Sequence, residues 1–301
     1  MRDYNGGFSK EIGLFKKAEK SKVNRNFIWF CILAYLLVIA SAIIPTIAGE
    51  FFLQAELIGP LVDHVIFGLT LSFGALTLVI ALIVTKREKR SFRDIGFQKY
   101  GALKSYLRGF GVGLLLMGVS TLIIFVLGGF KIVPNTEGVG IKFLPTILFT
   151  LIGWIIQGGT EEVLCRGWML PLMGRKYNVP FAVIVTSLFF MLLHSSNNAM
   201  SLVPILSLIA FGIFAALYVV KEKSLWGVCG LHTSWNWMQG NILGVEVSGS
   251  ISPGGSLIKL QAAGNPYISG GSFGVEGSII CTVVFMLASV YLFMKIKNTE
   301  A

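Results

Sequence analysis

Glu161 and Glu162 are adjacent carboxylates inside a stretch that otherwise reads as a membrane helix. An acid at the centre of a bilayer costs about 2.5–3.5 kcal/mol on insertion scales, so one kept there points to function. Arg166 follows four residues after Glu162, and two of the three histidines, His194 and His232, fall in later apolar segments. Carboxylates and imidazoles gathered in a low-dielectric medium are groups that activate water, move protons or hold a metal ion. The cluster reads as a reaction centre.

Spacing divides the work. A helix turns about 100° per residue, so Glu161 and Glu162 point in different directions. Arg166 is displaced only about 40° from Glu162 and can pair with it, but about 140° from Glu161. Glu162 and Arg166 therefore support the helix, and Glu161 is free to face something else. His232 and Asn236 are four residues apart, share one helix face and can address one ligand. Gly158, Gly159 and Gly167 permit close approach of other helices. His64, at the outer end of a helix, reads as a satisfied core residue.

The elements that must position these groups are membrane helices. Of the 301 residues, 54% are apolar and only 13% charged, and the mean hydropathy is +0.75. A soluble domain carries roughly twice that share of charge. Several runs reach the ~20 residues that span the hydrocarbon core. The expected fold is all-α, a polytopic membrane bundle of about eight transmembrane helices over 27–48, 65–84, 107–127, 143–170, 180–196, 201–220, 225–243 and 277–294. The short alternating segments of a β-barrel are absent, and no internal repeat is visible. The chain divides into a basic N-terminal segment (1–26), two helices with a basic loop (27–106) and the motif-bearing domain (107–297).

Basic residues set the direction. Seven lie in 1–26 and eight in 85–108, with pairs at Arg175/Lys176, Lys221/Lys223 and Lys295/Lys297. The intervening connections hold only Lys131, Lys142 and Lys259. Alternation over eight spans puts both termini in the cytoplasm of a cell-membrane protein. The net charge of +10 is then a topology signal and a match to anionic lipid, and its spread over membrane-flanking loops argues against nucleic acid. The first segment reads as an uncleaved anchor, because 26 residues precede it and its apolar core exceeds that of a signal peptide.

The remaining features read blandly. Cys31, Cys165, Cys229 and Cys281 are expected to be buried packing residues without a disulfide. Trp154, Trp168, Trp226, Trp235 and Trp237 read as interfacial or packing residues. The amphipathic run Phe92 to Leu107 is expected along the cytoplasmic interface. The glycine-rich loop 244–276, on the outer side, is either a lid, a re-entrant loop or a flexible connector. At ~1.5 Å per residue, His232 lies about 10 Å into its helix, Glu161 ~14 Å above a break expected at Pro171, and His194 ~20 Å above Pro180. One shared site is allowed.

Glu161-Glu162-x-x-x-Arg166, Phe190-x-x-x-His194 and His232-x-x-x-Asn236, in that order on successive helices, resemble the three motifs of the CPBP intramembrane proteases. That family includes the type II CAAX prenyl endopeptidases and bacterial, Abi-like, bacteriocin-processing and immunity-associated proteins. The resemblance covers about residues 100–295; Cys165 stands where members more often carry an aromatic, and the segment Gly270–Ser278 also looks like the bacterial members. It implies that Glu161 activates water with His194, that His232 and Asn236 stabilise the oxyanion, and that Glu162 and Arg166 support them. The family is commonly labelled metalloprotease, and Glu161, His194 and His232 form an admissible zinc set. Zinc on those three would leave Glu162 as base, yet Glu162 points toward Arg166. That favours a glutamate-activated water with no obligatory cofactor. The implied activity is hydrolysis, near the cytoplasmic face, of a CAAX-type or other small membrane-bound peptide or protein. The alternatives are a non-catalytic member, such as a bacteriocin immunity factor or scaffold, and, more remotely, a transporter.

Overall fold

A computed structural model describes residues 8–10, 13–54, 64–134 and 137–298. The helices are α1 (Gly13–Ala18), α2 (Phe27–Gln54), α3 (His64–Leu82), α4 (Ala102–Val126), α5 (Leu144–Glu162), α6 (Leu170–Lys176), α7 (Val179–Leu193), α8 (Leu202–Glu222), α9 (Trp226–Trp237), α10 (Pro266–Ser269) and α11 (Ile279–Asn298). All eight expected apolar segments are helical. Among the described residues, five helices are long and apolar enough to cross a membrane: Thr70–Arg87, Ala102–Val126, Ile141–Lys176, Leu202–Glu222 and Ile279–Asn298. Val179–Leu193 is a shorter apolar helix, and the apolar stretch Phe27–Ile43 belongs to α2. The eighth segment is α9, prolonged by a π-helical turn over Met238–Ile242. The outward surface suits acyl chains, with Leu78, Leu122, Leu188 and Leu287 all exposed. The side chain of His64 lies outside the described residues.

Helix α9 is the hub. It packs on α4 and α5 and touches α8, while α8 also packs on α7 and α11, and α3 joins α2 to α5. Glycines on both partners bring α4 and α9 together. A Cβ on Gly109 or Gly113 would overlap the carbonyls of Gly227 and Leu231, and one on Gly230 would overlap that of Tyr106. Close approach through small residues replaces a hydrophobic driving force that lipid cannot supply. Tyr106 then reaches Thr233, its hydroxyl donating across 2.9 Å.

The structure overturns one expected boundary. Pro171 does not break the helix: α5 runs into a π-helical stretch over Val163–Met169 and on through α6 to Lys176. A proline removes one N–H and crowds the carbonyl four residues back. Widening the preceding turn relieves both, and such π-helical turns often mark functional sites. Glu161 thus lies roughly 22 Å from the basic end of a continuous span. The run from Phe92 to Leu107 is likewise broken: a 3-10 turn at Phe92–Ile95, a reversal at Gly96 (φ 127°), then α4.

The segment 244–276 is folded rather than a loose connector. Its strand β2 (Leu260–Ala262) pairs antiparallel with β1 (Phe130–Ile132), matching Phe130 with Ala262. Asn241 donates to the carbonyls of Pro253 and Gly255, and Asn197 donates to that of Ser248. All four cysteines are free, and Cys165, Cys229 and Cys281 are buried.

Substituting Gly109→Val forces a branched side chain into the Gly227 carbonyl and is expected to cost about 1–3 kcal/mol or more. Melting in detergent checks this against Gly111→Ala, where a Cβ meets nothing within 4 Å. Gly109→Val should melt clearly lower and Gly111→Ala should not.

Candidate active site

The last two residues of α5, the residue after α7 and two residues of α9 meet around one point. Glu161 Oε2 lies 3.7 Å from His232 Nε2 and 4.0 Å from His194 Nε2. Glu161 is only 8% exposed, and its Oε2 has no hydrogen-bond partner among the described residues. Its other oxygen, Oε1, accepts from Gln157 Nε2 at 2.5 Å. An unpartnered carboxylate oxygen facing two imidazole nitrogens is a place for a shared small species.

Each imidazole is oriented from behind. His194 Nδ1 lies 2.9 Å from the Phe190 carbonyl, which can only accept, so Nδ1 carries the proton and Nε2 of the neutral ring is an acceptor. His232 Nδ1 lies 2.9 Å from Glu162 Oε1 and donates to that carboxylate. The same oxygen takes Arg166 Nη1 at 3.1 Å, so Glu162 serves both the arginine and the histidine. Arg166 also donates to the Gly212 carbonyl and lies over the Phe190 ring, 4.5 Å from its centroid. Phe190 therefore works twice, as a cation–π face for Arg166 and as the acceptor that fixes His194. Gly158 makes the α5–α9 crossing close enough, since a Cβ there would sit 3.2 Å from His232 Cγ.

All six expected residues are thus brought together. Asn236, however, does not point to the histidines unaided: its Nδ2 donates to Gln157 Oε1 at 2.8 Å. Gln157 links Asn236 to Glu161 and was not singled out by spacing, although it lies four residues before Glu161 on the same helix face. Its apolar surroundings were the available signal.

These groups line a cavity of about 370 Å³ with Trp154, Phe190, Phe211, Leu193 and, on the other side, Val247 and Ser250 to Pro253. The cavity extends toward the end opposite the basic connections, because the segment after α9 folds inward over it. Glu276 fastens this cap: Oε1 accepts from Trp235 Nε1, and Oε2 accepts from the backbone N–H and hydroxyl of Ser248 at 2.8 and 2.6 Å. The five tryptophans expected to pack also donate: Trp154 to Asn241, Trp168 to Glu88, Trp226 and Trp237 to the carbonyls of Gln98 and Ile147, and Trp235 to Glu276.

The zinc set can be tested on this geometry. The donors suit zinc in kind, and ligands about 2.0–2.2 Å from a tetrahedral ion lie roughly 3.3–3.6 Å apart, somewhat less than the 3.7 and 4.0 Å found here. Two groups hydrogen-bonded at about 2.8 Å to one water with tetrahedral angles lie roughly 4.6 Å apart, so the separations found here fall between the two spans. Among the described residues no group of three or more His, Cys, Asp or Glu is spaced to hold a metal ion.

Residues 143–238 match the family model for type II CAAX prenyl endopeptidase Rce1-like proteins, and the match contains all three motifs and Gln157 but not the cap over the cavity. Over this segment, about a third of the chain, the sequence is similar to the Rce1-like proteins. No curated protein and no solved structure matches the chain. The family points to a protease, a hydrolase, in a helical membrane protein.

Glu276→Ala removes three hydrogen bonds that tie the cap to α9. Amide hydrogen exchange across 246–253 should then speed up by about tenfold or more, while α4 stays protected. Unchanged exchange in the cap would mean that Glu276 does not hold it.

Proposed function

We propose that the chain is an intramembrane endopeptidase that hydrolyses a peptide bond of a membrane-associated peptide or protein, with Glu161 activating the water. One observation carries this reading: a buried Glu161 oxygen without a partner faces the Nε2 atoms of two histidines that are held from behind. A water there donates one hydrogen to Glu161 Oε2 and the other to His194 Nε2, which leaves its lone pairs free to attack. Glu161 takes the proton as the carbon–oxygen bond forms. His232, protonated on both nitrogens and backed by Glu162, donates from Nε2 to the oxyanion, and the second Nδ2 hydrogen of Asn236 assists. Preorganised donors aimed at developing charge in a dry site contribute several kcal/mol. When the carbon–nitrogen bond breaks, Glu161 returns its proton to the leaving amine, and the products are a carboxylic acid and an amine.

The low polarity of the cavity walls suits an extended segment of a membrane-bound client. A CAAX-type client and another small membrane peptide both fit that chemistry. No metal enters these steps, and no obligatory cofactor is required by them.

Glu161→Ala removes the base and one hydrogen bond, that from Gln157, and leaves the Glu162–Arg166–His232 contacts in place. Membrane-peptide profiles of cells carrying wild type or variant should differ, with cleavage lowered by about 10²–10⁴-fold and the melting temperature unchanged. Full activity in the variant would defeat the mechanism and favour a non-catalytic role for the cluster. Chelation of the purified protein is expected to leave cleavage intact. Stoichiometric zinc whose removal abolishes cleavage would overturn the metal-free assignment.

A further inference from the structure

A second cavity, of about 630 Å³, lies at the basic end, between the segment before α2 and the end of α3. Three cations, Lys22, Arg25 and Arg87, line it beside the apolar Trp29, Leu33 and Ile83. The one carboxylate in its wall, Glu88, is fully buried and already engaged. Its Oε1 accepts from Trp168 Nε1 and its Oε2 from Arg90 Nε, each at 2.7 Å. Glu88 therefore leaves the three cations of the rim unneutralised, and none of them has an ion-pair partner among the described residues.

The rim is built before any ligand arrives. Lys176 Nζ donates to Asn24 Oδ1 and to the Arg25 carbonyl, at 2.9 and 3.0 Å. The Phe27 N–H donates to the Tyr177 hydroxyl, and the Lys22 N–H to the Glu88 carbonyl. A segment pinned at four points gives up little further entropy on binding. The apolar wall continues onto the outer faces of α2 and α3, where Ile32, Leu36 and Leu82 are exposed.

We propose that this cavity binds an anionic phospholipid, its headgroup phosphate held by Lys22, Arg25 and Arg87 and its acyl chains lying along Trp29, Leu33 and Ile83. Unpaired cations beside a hydrocarbon wall match an amphiphile with a phosphate at one end; a free phosphate would leave the apolar wall unused. Basic pockets at the cytoplasmic ends of membrane helices suit such headgroups, and each interfacial cation contributes appreciably. The site is separate from the Glu161 cluster and does not depend on the proteolytic reading.

The full chain, released from nanodiscs of phosphatidylglycerol and phosphatidylcholine in equal amounts, can be weighed by native mass spectrometry. Wild type should retain phosphatidylglycerol in preference to phosphatidylcholine. Lys22→Ala with Arg87→Ala should lower that retention roughly tenfold or more, while Lys99→Ala with Lys104→Ala, which removes the same charge from exposed positions outside the cavity, should not. Leu33→Trp keeps every charge and blocks the apolar wall, and it should lower retention too. Equal retention by the two double variants, or of the two lipids by wild type, would overturn the proposal. Displacement of the lipid by millimolar inorganic phosphate would reassign the cavity to the free anion.

Discussion

A carboxylate sealed from water depends on partners within the chain, and Glu162 is that carboxylate. It is fully buried, and a single oxygen, Oε1, receives both Arg166 and His232. Breaking a buried pair of this kind by removing one partner typically costs about 3–5 kcal/mol, because the remaining charge is stranded. The interaction therefore does more than neutralise. It fixes the rotation of α5 against α9, and that rotation leaves Glu161, one residue earlier, facing the cavity instead of the ion pair.

From this lock the rest of the site follows. With α9 pinned at His232, its glycines settle against α4 and Gly158 admits the imidazole. Arg166, drawn to Glu162, lies over Phe190 and so sets the residue whose carbonyl orients His194. Gln157 and Asn236 close the other side through a chain of amide hydrogen bonds. Orientation is supplied from behind both imidazoles, and the open carboxylate oxygen of Glu161 faces the shared point. A site preorganised in this way does not have to reorganise during reaction.

Much of this was legible in the sequence because it rests on two regularities. Apolar runs of membrane length mark helices regardless of context, and the four-residue spacings from Glu162 to Arg166, Phe190 to His194 and His232 to Asn236 mark shared faces. What escaped rests on departures from regular helix or on contacts distant in sequence. Pro171 looks like a terminator until the π-helical stretch before it absorbs the strain. Gln157 is an ordinary amide until α9 brings Asn236 to it. The fold of 244–276 depends on Glu276, Asn241 and Asn197, three side chains from separate elements, and no local pattern announces their meeting. The second contact of Glu162, to His232, spans 70 residues and could not be read from helical spacing alone.

The account stands on Glu161 and His194 acting together on one water. A double-mutant cycle on kcat/KM for hydrolysis of a membrane peptide measures that coupling, using Glu161→Ala, His194→Ala and the double variant. Groups that work as a unit give non-additive losses, so the double variant should be scarcely slower than the worse single one. Losses that multiply would show two independent contributions and contradict the shared water.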